Sequence, residues 1–347
     1  MASTTTCTVT FSDSEPTEFI IPDFFSDFPY PMRLNPHCYP VSRASDQWLC
    51  SEGHLVEPKT TIYTVLRAGY LASATYPDAD AFHLRVCADW LGWSFIVDDW
   101  LEFERFDVND AWGIRDSCMS AFRDPVNFQT ERYSAKMCKS FVSRFKETSG
   151  PGCAKRFIES NDVWFILAAK EMDNRLKGHV NNVESYIEMR RILSGLKPSF
   201  ALIEFAGQID LPDEVVSHPV IMALEEAAID WVAWSNDIFS YNVEQARHST
   251  SNLVVLVMMH QGLDLQGAVD YCGRLCKTSI QRFEEHRAIL PSWGEEVDKE
   301  VAIYVQGLQN WMSGSLQWSF ENARYFGKDA HVVKRDRTVK LLPKRPL

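Results

Sequence analysis

The chain has 347 residues, of which 46% are hydrophobic and 24% charged, proportions typical of a globular protein with a large buried core. Its formal net charge of −12 gives a surface that repels a phosphate backbone, which argues against a nucleic-acid-binding protein. The nine cysteines form no CxxC pair, which argues against a structural zinc site. No signal-peptide pattern is present, and no apolar run is longer than Leu253–Met259. We therefore expect a cytoplasmic protein without stable membrane insertion.

The N-terminal segment lacks the apolar spacing of a helix. Residues 1–15 are polar and rich in Ser and Thr, a composition that predicts disorder. Residues 16–58 contain closely spaced prolines among aromatic residues, which predicts an extended arm lying on the body of the protein. Six prolines interrupt residues 16–47, namely Pro16, Pro22, Pro29, Pro31, Pro36 and Pro40.

The remainder of the chain is predominantly helical in pattern. Residues 59–327 show helical apolar spacing, and sparse Gly and Pro divide them into roughly ten helices. The segment has no internal repeat and no linker between two cores, so we expect a single all-α domain. Residues 328–347 are rich in Lys and Arg, which predicts a basic, solvated tail.

A first acidic cluster follows an apolar helix that begins near Ala81. On this helix Asp98 and Glu102 are four residues apart and point the same way, with Asp99 beside them. Like charges at that spacing destabilise a helix unless a cation binds between them. Mg²⁺ suits such ligands, because it binds one or two carboxylates together with substrate phosphates. The alternative interpretation is a solvated, acidic helix end.

A second cluster lies between Asp230 and Glu244. Asn236, Ser240 and Glu244 are spaced by four residues, so they drift by only about 80° around a helix and share one face. Amide, hydroxyl and carboxylate oxygens are all hard ligands, and only one of these three side chains is charged. The pattern predicts a metal site to which a diphosphate supplies the remaining negative ligands.

Together the two clusters resemble the class I terpene synthase family, in its fungal sesquiterpene synthase branch. The first cluster resembles the aspartate-rich motif in the form DDxxE, and the second resembles the NDxxSxxxE motif. Further segments that resemble this branch occur in the same order, at residues 19–23, 28–31, 35–37, 186–195 and 311–327. The resemblance implies an all-α class I terpenoid synthase bundle around a central apolar active-site cavity.

The resemblance also implies metal ligands. Asp98, with Glu102 completing its motif, would bind two of three Mg²⁺ ions, and Asn236, Ser240 and Glu244 would bind the third. The chain departs from many relatives in three places. Glu102 stands where an aspartate is common, Val243 replaces a basic residue, and His248 replaces a small residue after the second motif.

Other residues are assigned to the diphosphate by the same resemblance. Arg191 would be the diphosphate sensor, with Ser194 as the linker and Gly195 as the effector. Arg190 is the rival for the sensor role, and Arg191 is preferred because of its spacing from Gly195. Arg324 and Tyr325 would hydrogen-bond the diphosphate when the site closes, and these residues are catalytic candidates together with Asp98.

The aromatic residues Phe95 and Trp318 are predicted to form part of the cavity wall, because Phe95 precedes Asp98 by one turn. The implied reaction is ionisation and cyclisation of farnesyl diphosphate to a sesquiterpene hydrocarbon or alcohol, with release of diphosphate. The alternatives are a chain-elongating prenyl synthase, a diterpene cyclase that uses geranylgeranyl diphosphate, and a non-catalytic helical binding protein derived from a cyclase. We expect a monomer or a homodimer.

Overall fold

The computed structural model describes residues 16–26, 28–103 and 106–346, apart from the side chains of Glu102 and Phe103. The predicted disorder of residues 1–15 lies outside the described residues, as does the predicted role of the Glu102 side chain. Within the described ranges, no helix is sufficiently long and apolar to cross a membrane.

The described chain is built almost wholly from α-helices, as the apolar spacing predicts. The helices are α1 (Cys38–Glu52), α2 (Lys59–Leu66), α3 (Ala68–Thr75), α4 (Ala81–Phe103), α5 (Val108–Arg123), α6 (Tyr133–Thr148), α7 (Pro151–Leu176), α8 (Val183–Leu193), α9 (Leu196–Gly207), α10 (Asp213–Val216), α11 (Pro219–Gln245), α12 (Leu253–Gln261), α13 (Leu265–Arg287), α14 (Glu295–Glu321) and α15 (Ala330–Asp336). A 3₁₀ turn, Gly327–Asp329, joins the last two helices.

Helix α4 is buried on most of its circumference. Helix α4 buries Trp90, Trp93, Ile96 and Val97, which lie on several of its faces. A helix that is apolar all round belongs in the interior of a protein, so α4 is surrounded by other helices. It contacts α1, α3, α6, α7 and α9.

One glycine separates two helices that flank the interior. Helix α8 is capped by Asn182, whose side chain accepts a hydrogen bond from the Ser185 amide at 2.8 Å. Gly195 then adopts a φ of 71°, a left-handed conformation that glycine reaches without steric cost, and α9 begins immediately after it. This break turns the chain between α8 and α9.

Both ends of the chain differ from their predictions. The predicted extended arm, residues 16–58, contains the helix α1. The predicted basic tail, residues 328–347, is largely exposed in its described part, but residues 330–336 form α15 and residues 338–340 form a strand. The strands β1 (Glu18–Ile20) and β2 (Thr338–Lys340) pair antiparallel, with Phe19 opposite Val339. Local composition could not reveal this pairing, because the two strands are at opposite ends of the sequence.

Candidate active site

A cavity of about 250 Å³ lies between the central helices. It is lined from α4, α7, α8, α9, α11 and α14 and from the turn after α14. Most of the site residues predicted from the sequence line it. These residues are Phe95, Asp98, Ser194, Gly195, Asn236, Ser240, Glu244, Trp318, Arg324 and Tyr325.

The first acidic cluster forms one side of the cavity. Asp98 lines it, and desolvation together with the negative charge of Asp99 raises the pKa of Asp98 to about 6. Asp99 accepts a hydrogen bond from Arg324 Nη2 at 3.2 Å. The Arg324 guanidinium also lies 5.5 Å from the centroid of the Phe95 ring. An arginine and an acidic pair are therefore held together at this side of the cavity.

The second cluster lies along α11. Asn236, Ser240 and Glu244 all line the cavity, as their shared helical face predicts. Glu244 Oε2 accepts a hydrogen bond from Asn252 Nδ2 at 2.9 Å, and burial raises the pKa of Glu244. The buried Ser240 Oγ has no hydrogen-bond partner among the described residues. A buried, unpaired oxygen between an amide and a carboxylate is an arrangement that a hard cation would complete.

Arg190, rather than Arg191, reaches the cavity. Arg190 Nη2 donates to Asn236 Oδ1 at 2.7 Å, and Arg190 Nε donates to Asp237 Oδ1 at 3.1 Å. The placement of Arg191 in the site is therefore wrong in this structure. The physical reason is helical rotation, because Arg190 and Ser194 are four residues apart on one face, whereas Arg191 is turned about 100° away.

Arg191 instead belongs to an ion-pair network outside the cavity lining. Its Nε and Nη2 atoms donate to the two carboxylate oxygens of Asp230 at 2.7 and 2.8 Å. Arg282 Nη1 binds the same carboxylate at 2.8 Å. Asp230 is fully buried, so these two arginines compensate its charge and join α8, α11 and α13.

Asp237, the second residue of the NDxxSxxxE motif, is an anchor between helices. Its carboxylate accepts from the Tyr186 hydroxyl at 2.8 Å, from the Leu253 amide at 2.9 Å and from Arg190. Asn252 Nδ2 donates to the Asp237 carbonyl at 2.8 Å. These bonds tie α8 and α12 to α11, so Asp237 positions the cavity wall without lining the cavity.

Two further charged residues, which the sequence analysis missed, line the cavity from α7. Glu171 Oε2 is buried and has no hydrogen-bond partner within the described part of the chain, and burial raises the pKa of this carboxyl. Arg175, one turn later, donates from Nη2 to the Leu101 carbonyl at 3.0 Å. The spacing of Trp164, Ala168, Glu171 and Arg175 places them on one face of α7, and this pattern could have identified the pair.

The aromatic wall combines packing with contact to the cavity. The ring centroids of Phe95 and Trp318 are 5.6 Å apart, and Tyr325 meets Trp318 edge-on at 5.7 Å. Trp318 Nε1 also donates to the Leu66 carbonyl at 2.8 Å, and the residue is only 4% exposed. Trp318 is thus both a core residue and a wall residue.

The Ser199 and Tyr325 hydroxyls bear on the predicted roles of Gly195 and Tyr325. The Gly195 carbonyl lines the junction of α8 and α9 and accepts from Ser199 Oγ at 2.8 Å. Burial raises the pKa of Tyr325 to about 12, so its hydroxyl stays protonated at neutral pH. Asn236 Nδ2 donates to the Tyr325 oxygen at 2.7 Å, which leaves the hydroxyl proton available to a ligand.

Comparison with known proteins gives one consistent result. The family model described as "Terpene synthase family 2, C-terminal metal binding" matches residues 89–282. Sesquiterpene synthase 1 of Postia placenta is 46% identical over 336 residues, which are 96% of this chain and 98% of that protein. Sesquiterpene synthase Agr1 of Cyclocybe aegerita is 42% identical over 330 residues, 95% of each chain.

The fold also matches solved structures. The crystal structure of a-eudesmol synthase superposes with a TM-score of 0.77 at 19% identity, covering 84% of this chain and 97% of that one. This similarity confirms the predicted all-α, single-domain class I terpene synthase fold. With two oxygen-rich clusters lining one cavity, and near full-length relatives of this kind, the chain belongs to the metal-binding terpene synthase family.

Proposed function

We propose that the protein is a sesquiterpene synthase that ionises farnesyl diphosphate, cyclises the resulting cation and releases diphosphate. The observation that carries this proposal is that Asp98 and the Asn236–Ser240–Glu244 set line one cavity together with Arg190 and Arg324. The curated relatives named sesquiterpene synthases support the fifteen-carbon substrate.

The donor set fits Mg²⁺, and we propose three ions when diphosphate is bound. Asp98 and Glu102 would hold ions on the α4 side, and Asn236, Ser240 and Glu244 would hold one on the α11 side. All of these donors are oxygens, which suits a hard cation, and the unpaired Ser240 Oγ supports the α11 site. When bound, the metal ions neutralise the negative charge that develops on the leaving diphosphate.

The chain's own residues bind and orient the diphosphate. Arg190 and Arg324 present planar guanidinium groups that match phosphate oxygens, and each is already held in place by a carboxylate. The Tyr325 hydroxyl donates a further hydrogen bond. These groups are fixed before the substrate arrives, so they stabilise developing charge with little reorganisation.

The apolar part of the cavity protects and folds the hydrocarbon chain. The faces of Phe95 and Trp318 stabilise a carbocation by roughly 0.5–2 kcal/mol per ring, and the enclosing walls keep water away.

Incubation of the purified protein with farnesyl and geranylgeranyl diphosphates, followed by analysis of the volatile products, tests this function. We expect a cyclic sesquiterpene from the former, millimolar-range dependence on Mg²⁺, and loss of turnover in excess EDTA. Exclusive turnover of geranylgeranyl diphosphate would instead identify a diterpene cyclase. Binding of Mg²⁺ and diphosphate without turnover of either substrate would identify a non-catalytic binding protein.

Trp318 offers a test of the cavity wall. Replacing it with leucine is expected to change the product mixture more than the rate of substrate consumption, because the ring contacts the hydrocarbon rather than the diphosphate. Acyclic and monocyclic products, and alcohols from captured water, should increase in Trp318→Leu. The matched variant Trp318→Phe keeps an aromatic face and should preserve the main product.

Melting curves of both variants provide the control, since each loses the hydrogen bond to Leu66. An unchanged product distribution in Trp318→Leu, accompanied by a large fall in melting temperature, would assign Trp318 to the core alone.

A further inference from the structure

The two ends of the described chain form one structure, here called the terminal strap, which consists of residues 16–21 and 337–346. Strands β1 and β2 form its centre. On one side the Ile21 amide donates to the Arg337 carbonyl at 2.8 Å, and on the other the Leu341 amide donates to the Thr17 carbonyl at 2.9 Å. The strap thus extends beyond the two strands.

The strap is hydrogen-bonded to the last turn of α11. Asn242 is 5% exposed, and its Nδ2 donates to the Lys340 carbonyl at 2.9 Å. Its Oδ1 accepts from the Leu342 amide at 2.7 Å. Gln245 Nε2 donates to the Leu342 carbonyl at 2.8 Å. The Asn242 side-chain amide therefore donates to and accepts from the strap backbone, as the backbone of a neighbouring strand would.

Beyond the helix end, the strap also binds the turn that follows α11. The Arg345 amide donates to the Ala246 carbonyl at 2.8 Å, and so satisfies a carbonyl at the helix C-terminus. His248 has a φ of 61°, a conformation that is uncommon outside glycine and in which histidine, asparagine and aspartate are enriched. Its Nε2 bonds the Arg345 carbonyl at 2.8 Å, which accounts for a histidine at this unusual position.

These contacts lie on either side of Glu244, the proposed metal ligand. Glu244 is the penultimate residue of α11 and lies between Asn242 and Gln245. Helix ends fray, because their last carbonyls lack partners within the helix. Asn252 holds the Glu244 carboxylate, and the strap holds the Asn242 and Gln245 side chains of this last turn and the Ala246 carbonyl that follows it.

We propose that the terminal strap fixes the last turn of α11 so that Glu244 stays aligned with Asn236 and Ser240, and that Asn242 is the positioning residue through which it acts. This inference rests on the proposed function, because it takes Glu244 as a metal ligand. Metal affinity is thereby coupled to the contact between the last turn of α11 and residues 340–342 of the strap.

The test compares Asn242→Ala with the matched control Gln266→Ala. Gln266 makes the same pair of bonds to the strap, since its amide donates to the Ile20 carbonyl at 3.0 Å and accepts from the Ile20 amide at 2.8 Å. It lies on α13, however, and not on α11. A second variant, Gln245→Ala, removes the Leu342 contact without opening a buried cavity.

The readouts are the Mg²⁺ concentration at half-maximal binding of inorganic diphosphate, by calorimetry, and hydrogen exchange of residues 242–248 without metal. In Asn242→Ala the Mg²⁺ requirement should rise about tenfold, as expected for lost hydrogen bonds of ordinary strength. Exchange in the last turn should also accelerate. Gln245→Ala should also raise the Mg²⁺ requirement and accelerate exchange in the last turn. Gln266→Ala should change neither quantity.

The outcomes separate this inference from the proposed function. If the unmodified protein binds no diphosphate in the presence of Mg²⁺, the proposed metal site fails, and the inference fails with it. If the unmodified protein binds and Asn242→Ala and Gln245→Ala both match Gln266→Ala, only the positioning role is overturned.

Discussion

Replacing Asn236 with alanine is expected to lower kcat/KM for farnesyl diphosphate by roughly 10²–10³-fold, the usual loss for one removed electrostatic group in an active site. Asn236 is a proposed metal ligand, and it also joins two proposed diphosphate-binding groups. Its Oδ1 accepts from Arg190, and its Nδ2 donates to the Tyr325 hydroxyl. Its removal would therefore disturb metal and diphosphate binding together.

Ser235→Ala is the matched control for this variant. Ser235 also lines the cavity from α11, but its hydroxyl bonds the Val232 carbonyl of its own helix at 3.2 Å. We expect turnover within about twofold of the unmodified protein, because a hydroxyl bonded to a carbonyl of its own helix contributes little to stability or to binding. Steady-state kinetics and circular dichroism should be measured on both. Full activity in Asn236→Ala would mean that the second cluster is a structural feature of α11.

The second large effect distinguishes two neighbouring arginines. Arg190→Lys is expected to lower kcat/KM by about a hundredfold, because lysine keeps the charge but loses the planar fork that bonds Asn236 and a phosphate oxygen together. Retaining a positive charge beside Asp237 limits the loss of stability, since a buried carboxylate without a partner would destabilise the fold.

The matched substitution Arg191→Lys should leave kcat/KM within about twofold, because Arg282 continues to compensate Asp230. Kinetics with farnesyl diphosphate and melting curves should be recorded for both lysine variants. The reverse result, with activity lost in Arg191→Lys and kept in Arg190→Lys, would return the sensor role to Arg191. If both variants lose melting temperature and activity to the same extent, the Arg190–Asp237 and Arg191–Asp230 ion pairs are both structural.

Much of the candidate site could be predicted because it depends on local helical geometry. Asn236, Ser240 and Glu244 needed only a spacing of four residues on one long helix, and the structure places all three along the cavity. Asp98 needed only an apolar helix that ends in carboxylates. The all-α fold followed in the same way from apolar spacing, since burial of one face is what makes a helix persist.

Some features of the site depended on the rotation and packing of whole helices. Adjacent residues on a helix point about 100° apart, so choosing between Arg190 and Arg191 required the orientation of α8 against α11. Glu171 and Arg175 were missed because an isolated charged pair on a helix is usually solvated. Only the packing of α7 against its neighbours turns that pair toward the cavity.

The sequence by itself therefore determined the helical architecture, the family and the face of α11 that carries the proposed oxygen ligands, because each depends on residues close together along the chain. The tertiary structure alone decided which arginine enters the cavity and how Asp237 joins three helices. It also decided that residues 338–340 pair with residues 18–20. These features arise from contacts between residues distant in sequence, whose formation depends on the packing of the entire bundle rather than on local propensity.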